Sequence, residues 1–94
     1  MQPATAFSAA TSDLPEPCFV NERGIKWWRD HRTTDYALRP GLGRLHGVAA
    51  FIVETPEGRR SHVLVRKGAI ITESPQPEVL AIKIDRLRQV EHRV

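Results

Sequence analysis

The chain has 94 residues, of which 40% are hydrophobic and 27% charged; this suits one small globular domain and excludes both wholesale disorder and a fibrous repeat. The longest unbroken apolar run, Val48 to Val53, has six residues, far short of the roughly 20 that a membrane-spanning helix needs. The opening stretch lacks a basic region and a continuous apolar run, so no secretory leader and a cytoplasmic location are expected.

Charge is unevenly placed. Residues 1 to 22 contain Asp13, Glu16 and Glu22 and no Lys or Arg, whereas residues 23 to 94 hold all 14 basic side chains against 8 acids, a net charge of +6. Eleven of those bases are Arg, the side chain that favours planar, bidentate contacts with carboxylates, phosphates or bases. An interaction surface is expected from that bias. The lone Cys18 allows neither an internal disulfide nor a cysteine-based zinc cluster. A domain of this size buries only a modest core, and dimerisation is one way to add buried area.

Residues 1–17 are rich in Ala, Thr, Ser and Pro, lack any hydrophobic period, and end in Leu14-Pro15-Glu16-Pro17. That composition predicts a flexible tail, with residues 18–94 forming the folded domain. Two turn patterns follow, Asn21-Glu22-Arg23-Gly24 and Thr55-Pro56-Glu57-Gly58, each suited to a type I turn completed by a left-handed glycine. The first joins Cys18-Phe19-Val20 to Ile25-Lys26-Trp27-Trp28 in a hairpin, with a short helix from Asn21 as the competing reading. The second joins Val48–Val53 to Ser61–Arg66. Both alternate sets of side chains are apolar in the first of these strands, which predicts a central strand covered on both faces. Lys67-Gly68 then turns the chain into Ala69–Thr72, giving a meander.

The final segment opens with Pro77 and Glu78, favourable in the first turn of a helix. Val79, Leu80, Ile84, Leu87, Val90 and Val94 share a helical arc of roughly 140°, with Ile82 outside it and Lys83 within it. Alternation over Leu80 to Asp85 supports an edge strand followed by a shorter helix as the alternative.

Chemistry-bearing patterns are sparse. His31, His46, His62 and His92 match no metal-binding spacing. Cys18 as nucleophile with His31, His46 or His62 as base has no local signature, and no carboxylate pair lies in an apolar context that would raise one pKa. No metal, cofactor or enzymatic activity is therefore expected. Gly41, Gly43 and Gly47, flanked by Arg39 and Arg44, fit no phosphate-loop spacing and read as a turn-rich connection with a weak anion-contact potential.

The most informative stretch runs from Arg23 to Arg32 and sets Arg23, Lys26, Arg29 and Arg32 around Trp27 and Trp28. Adjacent tryptophans point in different directions, so one is expected in the core and the other exposed. An exposed indole among guanidinium groups stacks bases while the cations hold phosphates, and the same residue types anchor protein interfaces. The expected protein is a single α+β domain. It has an antiparallel meander of four to five strands with a C-terminal helix on one face; a small closed barrel of OB or SH3 type is the alternative. Its expected function is non-enzymatic binding of nucleic acid through Arg23, Lys26, Trp27, Trp28, Arg29, Arg32, Arg39 and Arg44, or else binding of an acidic protein surface as an adaptor or inhibitor. No membrane partner is expected, and a homodimer is compatible with this reading.

Overall fold

In the computed structural model, which describes residues 14–92, the chain forms β1 (Phe19–Val20), β2 (Lys26–Arg29), α1 (His31–Ala37), a 3-10 turn (Pro40–Leu42), β3 (Val48–Glu54), β4 (Arg60–Arg66), β5 (Ala69–Ser74) and α2 (Pro77–Glu91). The five strands lie in sequence order in one antiparallel sheet. β1 and β5 are its two edges and do not pair with each other, so the sheet is open; the barrel alternative is corrected. The expected flexibility of residues 1–17 falls mainly on residues 1–13, outside the described residues.

Both expected glycine turns form, and they share one hydrogen-bond scheme. The Gly24 amide donates to Asn21 O at 2.9 Å and the Asn21 amide to Ile25 O at 3.0 Å; the Gly58 amide donates to Thr55 O at 2.8 Å and the Thr55 amide to Arg59 O at 2.9 Å. Each glycine is left-handed, with φ of 78° at Gly24 and 88° at Gly58, where a side chain is strained. Asn21 Oδ1 also accepts from the amides of Arg23 and Ile25, which settles the first segment as a hairpin.

One face of the sheet carries the core. Ala37, Leu45, Val48, Ala50, Leu64, Leu80 and Ile84 form a buried cluster in which α1 and α2 lie against β3 and β4. α2 is a continuous helix, which removes the edge-strand alternative for residues 79–84. Its stripe differs from the sequence expectation at the far end: Val90 is 65% exposed, whereas Arg88 is 5% exposed. Leu80, Ile84 and Arg88 follow at four-residue spacing, so Arg88 continues the inward row. Its guanidinium lies 4.4 Å from the Tyr36 ring centroid and donates to Tyr36 O and Asp85 Oδ1. Lys83 reaches over the edge, Nζ donating to Glu73 O at 2.6 Å, so its apolar stem shares the stripe while its charge leaves it.

β3 is central, as its composition implies, but no described element covers its second face. Trp28, Ile52 and His62 point toward the helices, in register with one another. Trp27, Phe51 and Val63 point the other way, onto a face that is open among the described residues. Coverage of β3 on both sides is therefore corrected: the large side chains of the open face shield one another.

Candidate interaction surface

Alternation along β2 separates its four residues into two pairs. Trp28 and Lys26 face the helix side. Trp28 is 7% exposed, and its Nε1–H donates to Pro15 O at 2.7 Å. Lys26 lies opposite Glu54 in register. Alternation puts Trp27 and Arg29 on the open side, Trp27 half-buried and Arg29 exposed, and Arg29 also borders the small cleft beside Trp28. One buried and one accessible indole is the division expected from adjacent tryptophans in a strand.

The open face is apolar. The Phe19 ring stacks on Trp27 with centroids 5.4 Å apart and planes inclined by 13°. Phe51 meets Trp27 edge-on at 5.5 Å, a favourable aromatic arrangement. Register extends this cluster: Trp27 lies beside Val53, Arg29 beside Phe51, Phe51 beside Val63, Val63 beside Glu73, and Val65 beside Ile70. Phe19 and Ile70 are each 49% exposed, at opposite edges of the patch. The Trp27 Nε1 is shielded and has no acceptor among the described residues.

The other basic residues do not join Trp27. Arg23 sits at the tip of the β1–β2 turn. Arg32 and Arg39 border a cleft between α1 and the start of α2, with Tyr36, Pro77, Glu78 and Ala81; the Arg39 guanidinium lies 5.8 Å from the Tyr36 ring centroid. Arg44 Nε donates to Leu38 O at 2.9 Å. The Gly41–Gly47 stretch is a 3-10 turn followed by an irregular connection, and Gly43 closes the turn with φ of 86°. Of the eight residues singled out in the sequence, only Trp27 and Arg29 share the open face.

Phe19, Phe51, Val53, Val65, Ile70 and Glu73 join them on that face and were missed as site residues; Val63 lies on it too but is fully buried. Their signal was the second apolar alternate set of β3, repeated in β4 by Val63 and Val65. Such a double pattern reads as burial on both sides unless the number of covering elements is known.

Cys18 is exposed, and His62 is partly buried on the helix side. Burial holds the His62 imidazole below its ordinary value of 6.5, aided by nearby Arg60 and opposed by Asp30 and Glu78. Among the described residues no group of three or more His, Cys, Asp or Glu is placed to hold a metal ion, and no described helix is long and apolar enough to cross a membrane. The chain matches no protein-family model, and no curated protein or solved structure matches it significantly.

Proposed function

We propose that this chain is a non-enzymatic protein-binding module whose interface is the open sheet face. The supporting observation is the contiguous apolar patch formed by Phe19, Trp27, Phe51, Val53, Val65 and Ile70, uncovered by any described element. Exposed apolar patches rimmed by charge characterise protein interfaces, and Trp with Arg are the residues enriched at their energetic centres. Arg29 and Glu73 supply such a rim, one at each side. Single-stranded nucleic acid is the second reading, favoured by Arg29 beside Trp27. It is the weaker one, because Phe19 already occupies one face of the indole and the remaining cations lie elsewhere.

The test pairs two measurements. Tagged full-length chain is used to recover partners with and without nuclease, a second, untagged copy being co-expressed. Tryptophan emission is then followed on adding oligonucleotide at low salt. The expected result is a polypeptide retained after nuclease by the wild type and lost with Trp27→Ser or Ile70→Ser, without oligonucleotide-dependent quenching. Quenching with log K falling by about 0.7 per neutralised phosphate against log salt would establish the nucleic-acid reading instead.

A further inference from the structure

Resting on the protein-binding reading, we infer that the partner of the open face is a second copy of this chain, packed face to face about a two-fold axis that runs parallel to the strands between β3 and β4. What points to a second copy is the order of side chains across the sheet. Strand register places Arg29, Phe51, Val63 and Glu73 in one row, on β2, β3, β4 and β5 respectively. The row is apolar at its centre, with a cation at one end and an anion at the other.

Arg29 and Glu73 are both exposed, and neither belongs to an ion pair among the described residues. Three strand spacings of about 4.8 Å separate them, roughly 14 Å, too far for a contact within one chain. A two-fold axis along the strands between β3 and β4 exchanges the ends of the row. Arg29 of each copy then lies over Glu73 of the other, and Phe51 lies over the position of Val63, a side chain its own neighbours already bury. The row is complementary to itself, as an isologous interface requires. A rotation about an axis perpendicular to the strands would instead superpose Arg29 on Arg29 and Glu73 on Glu73, so charge selects one of the two in-plane alignments. The neighbouring rows fit the same operator: Ala49 meets Val65, and Trp27 reaches toward the Pro75 end of β5. Sheets packed this way interdigitate their side chains at an inclination of about 30°, which strand twist supplies.

The test is charge exchange in the full-length chain, read by sedimentation or size exclusion over a concentration series. The wild type is expected to dimerise. Arg29→Glu sets two carboxylates against each other at both ends of the dimer, and Glu73→Arg sets two guanidinium groups against each other there; each substitution alone should weaken the dimer at least about tenfold. Because both positions are exposed, circular dichroism should show the fold retained. Mixed in equal amounts, the two variants should form a one-to-one heterodimer, because both of its contacts become Glu–Arg pairs. The double variant R29E/E73R should likewise dimerise. A wild type that stays monomeric into the millimolar range, or a dimer indifferent to both reversals, overturns the inference. The protein-binding reading fails separately: a monomeric chain that still retains another polypeptide through Trp27 and Ile70 keeps that reading and rejects the second copy. A monomer that dimerises only after residues 2–13 are removed rejects the second copy as the occupant too.

Discussion

At the junction of β2 and α1, two side chains let the sheet ladder pass into a helix. Asp30 keeps the strand contact with its amide, which donates to Ala50 O at 2.9 Å, while its carboxylate caps α1 by accepting from the Thr33 amide at 3.1 Å and the Thr33 hydroxyl at 2.7 Å. The chain has left the sheet by the next turn, yet the Ala50 amide still finds an acceptor, the Thr34 hydroxyl at 2.8 Å. That hydroxyl in turn donates to Asp30 O at 2.8 Å. Ala50 is 1% exposed, so water cannot replace the lost partner. Thr34→Val, nearly isosteric, should therefore cost about 1–3 kcal/mol, the range for a buried donor left unpaired, and Thr34→Ser should cost much less. Denaturant unfolding of the two variants checks the difference.

His62 gives a second residue-scale prediction. Its pKa in the fold lies below the ordinary 6.5, burial being the largest cause, and its shielded Nδ1 has no partner among the described residues. The fold therefore favours the neutral ring. With the folded pKa below the unfolded one, the associated stability is complete above about pH 6.5 and is lost as pH falls through that value toward the folded pKa. The melting temperature should drop between pH 7.5 and 5.5, and the drop should be smaller in His62→Gln. An equal slope in both proteins would assign the loss to other groups.

At the scale of elements, α1 is held to α2 by one polar cluster. Tyr36 Oη donates to Asp85 at 2.9 Å, and Arg88 bridges Asp85, the Tyr36 ring and Tyr36 O. Tyr36→Phe removes only the hydroxyl and should cost about 1 kcal/mol, because Asp85 is half-exposed and regains water. Arg88→Ala removes a buried cation, its stacking and the packing of its stem, and should cost about 2–4 kcal/mol. Chemical denaturation with unchanged m-values would show that both act on stability alone. The hairpins, the meander and α2 were legible in the sequence because glycine turns, alternation and a 3.6-residue stripe are local signals. α1 was not. It has seven residues, too few for an apolar period, and its start signal, Asp30 followed by Thr33, lay within the Arg- and Trp-rich stretch that read as one surface. The place of Arg88 was hidden for a different reason. An arginine on an inward row is inexpensive only where a carbonyl, a carboxylate and an aromatic ring converge; Asp85 is three residues away, but the carbonyl and the ring both belong to Tyr36, 52 positions away along the chain.

At the scale of the whole molecule, the two faces of the sheet are closed by different means. α1, α2 and the connection through Leu45 cover the helix side over β3 and β4, but they stop short of β2, where Trp28 would otherwise lie bare. There the chain before β1 takes over. Leu14, Pro15 and Cys18 line the small cleft at Trp28 with His31, and the indole N–H finds its acceptor in Pro15 O at 2.7 Å. The link spans 13 residues and a hairpin, so its loss should be felt away from the terminus. Two truncations isolate it. Removal of residues 2–13 keeps Pro15, whereas removal of residues 2–17 takes away both the acceptor and the cover over Trp28. An unpaired buried indole N–H costs about 1–3 kcal/mol, and each 1 kcal/mol shifts a domain of this size by about 4–8 °C. The longer truncation should therefore melt at least about 4 °C below the shorter one, with Trp28 emission shifted to the red as water reaches the ring. Equal melting temperatures would mean that Pro15 contributes nothing to the fold, and that the pairing of β2 with β3 holds Trp28 without it.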